Sequence, residues 1–166
     1  MDPAGGGRPA AGALLAATER GICAVRFGDS SEALERELRA EYPKAEIVRS
    51  DGQLRGQVKA VREIILGNSS GALPLDIQAT AFQRRVWEEL QAIPSGATKS
   101  YGKIAAEIGH PKAARAVARA CAANPVAVVI PCHRVVREDG AMGGYRWGVD
   151  RKKKLLALEA ARNDAG

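Results

Sequence analysis

The chain has 166 residues, of which 46% are hydrophobic and 27% are charged, so it can bury a core and is not a disordered polymer. No apolar stretch approaches the roughly 18 residues that span a bilayer, which excludes a transmembrane helix. Its three cysteines are an odd number without Cys-x-x-Cys spacing, and we expect no secretory segment before them. We therefore expect a reducing, cytoplasmic setting and neither a disulfide framework nor a structural zinc site.

The net charge of +6 lies entirely in the second half of the chain. Residues 1–75 carry ten basic and ten acidic side chains, whereas residues 76–166 carry fifteen basic and nine acidic ones. A localised basic surface favours a polyanionic partner, because each neutralised phosphate releases counterions. Solvated basic faces are common, so the charge alone favours nucleic acid only weakly.

The first half of the sequence indicates a small α/β unit. The apolar run Gly21–Gly28 predicts a strand, and residues 33–42 have leucines at helical spacing. The turn-forming residues 67–71 coincide with the change in charge, so we place a linker there and a subdomain boundary near residue 72. This half contains no histidine and no catalytic cluster, which predicts a supporting role.

The second half of the sequence is predicted to be mostly helical. Apolar residues recur every four positions from Phe82 to Leu90, on a helix that ends before Pro94. A shorter helix is expected over residues 101–108.

A third helix is predicted over residues 112–122, with Pro111 as its first residue because the fixed φ of proline suits a helix start. Two helices joined by so short a turn resemble a helix-turn-helix. Apart from Arg115, Arg119 and a lysine, the third helix carries mostly small side chains, so it could enter a DNA groove. An alanine-rich core helix with two solvated arginines explains the same pattern equally well.

Cys132 lies beside His133 after the apolar run 126–130 and is a candidate nucleophile. A thiol reacts as the thiolate, and an unperturbed pKa of about 8.5 leaves little thiolate at neutral pH without a base. His133 could be that base. A small buried cysteine next to a hydrogen-bonded histidine is the alternative.

Glu159 is the candidate partner of His133. The final helix carries an apolar stripe at Leu155, Leu156 and Leu158, and Glu159 shares its buried edge. Burying an unpaired carboxylate is unfavourable, so contact with an imidazole N–H would explain this position. A water could then carry the proton between the thiol and the imidazole. A solvated glutamate on a terminal helix is the alternative.

The basic run 151–154 could touch phosphates, but we favour a solvated helix face.

Pro-Cys-His-Arg at residues 131–134 has Asn124 eight residues upstream of the cysteine and Gly-Tyr about a dozen residues downstream. Other distinctive stretches include Glu-Arg-Gly-Ile-Cys-Ala at 19–24, Thr-Ala-Phe-Gln at 80–83, Ser-Tyr at 100–101, Arg-Ala-Val-Ala at 115–118, Asn-Pro at 124–125, Gly-Tyr-Arg-Trp-Gly-Val at 144–149 and Leu-Leu at 155–156. From about residue 17 to 161 the chain resembles the O6-alkylguanine-DNA alkyltransferase family, especially the C-terminal alkyltransferase domain of bacterial Ada proteins.

The resemblance implies an α/β fold in two parts. The first is a small N-terminal α/β subdomain of ribonuclease H-like type over residues 1–72, of which residues 1–13 could be disordered. The second is a mostly helical winged helix-turn-helix domain over residues 73–166, which binds DNA and carries the catalytic site.

The resemblance also implies DNA repair. The methyl group of O6-methylguanine, and also of O4-methylthymine, would move irreversibly and once per molecule from flipped bases in double-stranded DNA to Cys132. No cofactor or metal is implied, and the protein would be a cytoplasmic monomer. The residues implied in catalysis are Cys132, His133 and Glu159 as a water-linked relay, Tyr101 as proton donor to guanine and Asn124 as a brace for the cysteine loop. The residues implied in DNA and base binding are Arg115 in place of the flipped base, Ala114 and Ala116 near the DNA backbone, Ser100, Val135, Tyr145 and Arg146.

Two departures from the family pattern carry expectations. Residues 1–13 are rich in Gly, Ala and Pro where the family has its first strand, so we expect a less stable N-terminal subdomain. The bulk of Arg146 and Trp147 predicts methyl transfer over benzyl transfer.

Three other functions are alternatives to repair. A damage-binding relative that does not react should lack Cys132. A helix-turn-helix regulator would need more base-reading side chains than an alanine-rich helix offers. A thiol hydrolase using the same cysteine, histidine and glutamate does not need a basic second half.

Overall fold

The computed structural model describes residues 12–50, 52–68 and 73–165, and the mixed α/β class is confirmed. These residues form six α-helices and two small sheets of two strands each. In chain order the elements are β1 (Gly12–Thr18), β2 (Gly21–Gly28), α1 (Ser31–Glu41), α2 (Arg55–Ile65), α3 (Ala81–Gln91), β3 (Lys99–Ser100), α4 (Tyr101–Glu107), α5 (Ala114–Ala122), a 3₁₀ turn (Cys132–Arg134), β4 (Val135–Val136) and α6 (Val149–Ala165).

The N-terminal half is a hairpin covered by a helix. The predicted strand β2 is confirmed, and β1, which the sequence pattern did not predict, pairs with it in antiparallel register. Helix α1 packs on both strands and begins slightly earlier than expected, because the Ser30 side chain accepts a hydrogen bond from the N–H of Ala33 at 3.1 Å. Gly12 and Ala13 lie within the tail predicted at residues 1–13, but they belong to β1. Residues 1–11 of that tail, residues 69–71 of the proposed linker and the proposed boundary near residue 72 lie outside the described residues.

The second edge of β2 connects the two halves. The N–H of Ile22 donates to the carbonyl of Pro74 at 3.0 Å, and an isolated parallel bridge pairs Ile22 with Leu75. Further along, the N–H of Val25 donates to the carbonyl of Pro125, also at 3.0 Å. Backbone hydrogen bonds therefore join strand β2 to β1, to the segment before α3 and to the segment before Cys132.

Helices α3, α4 and α5 pack against one another in the second half. Helix α3 starts with a capping box, in which Thr80 and Gln83 each accept a hydrogen bond from the other's backbone N–H. Its buried face carries Val86, Trp87 and Leu90, so the predicted apolar spacing marks the core side of this helix.

The predicted start of the third helix at Pro111 is wrong, because α5 begins at Ala114. The N–H of Ala113 donates to the carbonyl of His110 at 2.8 Å and closes a turn in which Pro111 takes the second position. The fixed φ of proline suits that position of a β-turn as well as a helix start, which explains the error.

A short parallel pairing brings the start of α4 to the 3₁₀ turn. Lys99 pairs with Val135 and Ser100 with Val136, so residue 101 lies close to the turn that contains Cys132. One continuous apolar core underlies both halves and includes buried residues of β2, α3, α4, α5 and the segment 126–130. Of the helices in the described parts of the chain, none has the length and apolarity to cross a bilayer.

Candidate active site

Cys132 is held by the side chain of Asn124. This asparagine is fully buried, and its amide nitrogen donates to the carbonyl of Ile130 at 2.7 Å and to the Cys132 sulfur at 3.2 Å. Its amide oxygen accepts from the N–H of Val126 at 2.9 Å. One side chain thus ties together the beginning, the end and the thiol of a buried loop.

The backbone of this loop is tightly turned. Val128 has a φ of 60°, a left-handed conformation that is unfavourable for a β-branched residue, and the N–H of Val129 reaches the carbonyl of Ala127 at 2.7 Å across it. The N–H of Cys132 then donates to the carbonyl of Ile130 at 2.8 Å. Strained backbone of this kind costs about 1–3 kcal/mol and persists only where the surroundings enforce it. Here Asn124 and strand β2 supply that restraint.

The thiol of Cys132 is buried and protonated at rest. Burial raises its pKa to about 11, although the Asn124 hydrogen bond and the positive charge of Lys152 act in the opposite direction. A protonated thiol is a poor nucleophile, so any reaction at this sulfur requires a base.

His133 and Glu159 form a buried pair beside the cysteine. The Nε2 atom of His133 lies 2.8 Å from a carboxylate oxygen of Glu159. Burial alone would raise the pKa of Glu159, but hydrogen bonds from His133 and Arg134 lower it to about 2, so the carboxyl is ionised. Burial lowers the pKa of His133 against the influence of Glu159, which keeps the ring neutral.

These charges fix the tautomer of His133. Its Nε2 carries the hydrogen donated to the Glu159 carboxylate, so Nδ1 holds a free lone pair. Within the described residues this buried Nδ1 has no hydrogen-bond partner. The ring is therefore arranged to accept a proton, and the carboxylate is placed to stabilise the resulting imidazolium.

Arg134 completes the environment of Glu159. Its guanidinium donates to both carboxylate oxygens, with the shortest distance 2.8 Å, and also to the carbonyl of Ile93 at 2.7 Å. The N–H of Gly96 adds a longer contact to the carboxylate at 3.3 Å. Sequence reasoning missed this role for Arg134, although the residue lies within the Pro-Cys-His-Arg motif. Leu158, expected on the buried stripe, is instead 49% exposed, whereas Leu155 and Leu156 are half-buried.

Lys152 is the residue of the site whose surroundings differ most from those expected from the sequence. The basic run 151–154 was expected to be solvated, which is wrong for Lys152, because its side chain is fully buried. Its ammonium donates to the carbonyls of Val135 at 2.6 Å and Gly144 at 3.1 Å, and also to that of Met142. Lys152 thereby fastens the chain between β4 and Tyr145 to α6.

Tyr101 and Tyr145 are two half-buried aromatic residues on whose hydroxyls Cys132 acts electrostatically. Burial raises the pKa of Tyr101 to about 12 and that of Tyr145 still further, so both hydroxyls remain protonated and can donate a hydrogen. The hydroxyl of Tyr145 is buried and lacks a hydrogen-bond partner among the described residues. The Lys152 ammonium lies 5.8 Å from the centre of the Tyr101 ring.

The remaining predicted residues lie around this centre. Val135 is buried and its carbonyl already accepts from Lys152, while Arg146 donates to the carbonyl of Asn124 at 2.9 Å and covers the ring of Trp147. The exposed face of α5 carries Arg115 in its first turn, between the half-buried Ala114 and Ala116. Ser100 caps α4 by accepting from the N–H of Lys103 at 3.0 Å.

The chain is similar to known proteins over most of its length. The family model "6-O-methylguanine DNA methyltransferase, DNA binding domain" matches residues 81–161. The chain is 52% identical to "Regulatory protein ada" of Salmonella typhimurium and 49% identical to "Bifunctional transcriptional activator/DNA repair enzyme Ada" of Escherichia coli, over 91% of this chain and 43% of each relative. It therefore spans less than half the length of these relatives. Mycobacterium tuberculosis OGT, solved in complex with DNA, superposes with a TM-score of 0.71 at 35% identity, covering 90% of this chain and 87% of that one.

Proposed function

We infer, because this chain belongs to the 6-O-methylguanine DNA methyltransferase family, that it repairs DNA by moving the methyl group of O6-methylguanine onto Cys132. The observation that carries this function is the buried thiol beside a neutral His133 whose orientation is fixed by an ionised Glu159. The basic second half and its relatives' names support double-stranded DNA as the partner. O4-methylthymine is a second expected substrate.

The transfer begins with removal of the thiol proton. His133 accepts it at Nδ1 through a bridging water, and Glu159 stabilises the imidazolium. The Cys132 thiolate then attacks the methyl carbon, the bond from that carbon to O6 breaks, and a thioether forms. The departing guanine gains negative charge, which Tyr101 neutralises by donating its hydroxyl proton to N3. His133 returns its proton to Tyr101, so the net products are methylated cysteine and guanine.

The reaction consumes the protein. A thioether offers no good leaving group, and the proposed chemistry contains no step that returns Cys132 to a thiol. Each molecule therefore acts once, without a cofactor. We further propose a monomer in the reducing cytoplasm, where the free thiols of the described residues would stay reduced.

DNA engages the exposed side of α5 in the proposed complex. Ala114 and Ala116 allow close approach to the backbone, and Arg115 fills the space left by the flipped nucleotide. Ser100 and Tyr101, at the start of α4, meet the phosphate of the rotated nucleotide. In this proposal α4 and α5 are the two helices of a winged helix-turn-helix domain, residues 73–166, next to a ribonuclease H-like unit, residues 1–72.

Further backbone groups and side chains shape the base pocket. The carbonyls of Cys132 and Val135 accept from the exocyclic amine of the flipped guanine, and Tyr145 lines the pocket. The backbone N–H of Arg146 addresses O6. Asn124 keeps the loop in the conformation that these contacts need.

Intact-protein mass spectrometry tests the function. We expect one added methyl group after incubation with excess duplex that contains one O6-methylguanine, localised to Cys132 and absent in Cys132→Ser. Cys121→Ser is the matched control, because it removes another buried thiol of the same half and should leave the transfer intact. Repeated turnover of an ester would favour the thiol hydrolase, whereas tight lesion binding without a mass change would favour damage recognition alone.

Arg115→Ala tests the DNA-binding half of the proposal. Because Arg115 assists base extrusion, its loss should slow repair of duplex DNA about 10-fold or more and slow transfer from free base much less. Arg119→Ala is the matched control, since both arginines are exposed on α5. Equal losses on duplex and free base would contradict the extrusion role.

A further inference from the structure

The carboxylate of Glu138 occupies the start of α4. The Ser100 hydroxyl donates to Glu138 Oε1 at 2.7 Å while it accepts from the N–H of Lys103 at 3.0 Å. Gly102 leaves the space for this contact, because a Cβ built there would collide with the same carboxylate oxygen. An acidic oxygen therefore lies against the residues that the proposed function assigns to a DNA phosphate.

The position of Glu138 is set by a closed turn. The N–H of Gly140 donates to the carbonyl of Arg137, and the N–H of Arg137 donates to the carbonyl of Ala141, each at 2.9 Å. The side chain of Asp139 accepts from the N–H of Ala141 at 3.0 Å. Strand β4, which pairs with β3, leads directly into this turn, so Glu138 is delivered to Ser100 by ordered backbone.

We propose that Glu138 holds the place of a DNA phosphate at Ser100 and must be displaced when DNA binds. A serine hydroxyl has a single hydrogen to donate, so the carboxylate and a phosphate oxygen compete for it. Both groups are anionic, so they also repel each other at one location. Glu138 thus lowers the affinity for a duplex whose nucleotide is flipped, and it is a further residue that sets how tightly this surface binds DNA.

The role of Glu138 rests on the proposed function. It predicts an effect on reactions with duplex DNA that should be absent with free base. A flipped nucleotide brings its phosphate to Ser100, whereas a free alkylated base carries no phosphate. Replacing Glu138 should therefore change reactions on duplex DNA and leave transfer from free base to Cys132 unchanged. The carboxylate is exposed, so its replacement should also leave the fold intact.

The experiment measures duplex affinity of Glu138→Gln in a Cys132→Ser background, which prevents transfer during the titration. We expect about 3- to 10-fold tighter binding at low salt, with a gain that shrinks as salt screens the charge. Asp139→Asn is the matched control, because it removes the same charge one residue away while its amide oxygen can still accept from Ala141. The control should change affinity by less than about twofold.

Two further measurements isolate the contact with Ser100. Transfer from free O6-methylguanine to Cys132 should stay within about twofold in Glu138→Gln with the cysteine restored. In Ser100→Ala the gain from Glu138→Gln should shrink, since residues that act through one contact are not additive. The thermal transition of each variant, followed by circular dichroism, confirms that the fold is retained.

Specific results would overturn the proposal. Equal tightening by Glu138→Gln and Asp139→Asn would mean general repulsion, and weaker binding by Glu138→Gln would make the carboxylate part of the docking surface. Unchanged affinity in Glu138→Gln, with normal methyl transfer by the unmodified protein, would remove the role of Glu138 alone. A folded, unmodified protein that neither binds nor repairs the duplex would remove the proposed function as well.

Discussion

The two halves of the molecule contribute to the site in different ways. Strand β2 of the N-terminal half holds the loop before Cys132 through the backbone of Val25, and Phe27 packs edge-on against Trp147 with ring centres 6.4 Å apart. The C-terminal half supplies the proposed chemistry with side chains, above all the buried set around Glu159. Backbone support can be provided by many sequences, whereas proton transfer requires particular side chains. We therefore expect changes in the first half to alter stability and changes around Glu159 to alter the rate.

Glu159→Gln should give the largest effect. An amide cannot stabilise a histidinium as a carboxylate does, and it leaves the Arg134 guanidinium without its counter-charge. We expect single-turnover methyl transfer to fall about 100- to 1,000-fold in protein that is still folded. Glu107→Gln is the control, since it removes an exposed carboxylate that pairs with Lys99. A rate that survived Glu159→Gln would mean that His133 does not need this partner.

The same carboxylate predicts how stability depends on pH. The pKa of Glu159 is about 2 in the folded protein against an ordinary value of 4.5, so the folded state favours its ionised form. This contribution is present above pH 4.5 and disappears as pH falls towards 2, and the difference corresponds to about 3 kcal/mol. Urea titrations between pH 6 and 3 should therefore show a shallower loss of stability in Glu159→Gln than in the unmodified protein. An equal pH dependence of the free energy of unfolding in the two proteins would contradict the low pKa of Glu159.

Lys152→Met tests whether the buried cation supports the structure or the chemistry. Methionine matches the length of the lysine stem but leaves the carbonyls of Val135, Met142 and Gly144 without their donor. We expect the free energy of unfolding to fall by about 3 kcal/mol, measured by urea denaturation. Lys153→Met, on the exposed side of α6, is the control and should change it by less than about 0.5 kcal/mol. Comparable effects of the two variants would contradict the structural role of Lys152.

The behaviour of Lys152 also shows where sequence reasoning fails. Strand β2 and helices α3 and α4 were predictable, because their apolar periodicity records which face is buried. Helix α2 also has apolar residues at helical spacing, but among the described residues no side chain caps its start, and the helix was not predicted. A lysine in a basic run normally indicates solvent. The partners of Lys152 are backbone carbonyls, which no sequence pattern displays.

Some residues of the candidate site could likewise be predicted from the sequence, whereas others could not. Cys132, His133 and Asn124 could be recognised because they lie within a short, distinctive stretch. The contacts of Arg134 with Glu159 could not, because they depend on how α6 packs against the 3₁₀ turn. Glu138 was missed for a related reason: its contact with Ser100 depends on the pairing of β3 with β4.

Phe27→Ala examines the supporting half directly. The half-buried Phe27 packs against Trp147, so its removal should lower the free energy of unfolding by about 2 kcal/mol. The transfer rate per folded molecule should change by less than about threefold, because no polar group of the site is touched. Val48→Ala, at a position that is 75% exposed, is the control. A large rate loss at full folding would mean that the N-terminal half tunes the chemistry as well as the fold.

Thr80→Ala should give the smallest effect. It tests whether only the N-terminal half contributes to stability without changing the transfer rate. The variant removes the side-chain cap of α3, whose Trp87 donates to the carbonyl of Ala120 in α5, and such caps contribute about 1 kcal/mol. Ser30→Ala removes the cap of α1 and serves as the matched variant in the other half. Because one apolar core joins the halves, both variants should lower the midpoint of a single thermal transition by similar amounts, with unchanged transfer rates. Two separate transitions, each sensitive to only one cap, would show instead that the halves unfold independently and that β2 supports the catalytic loop without sharing its stability.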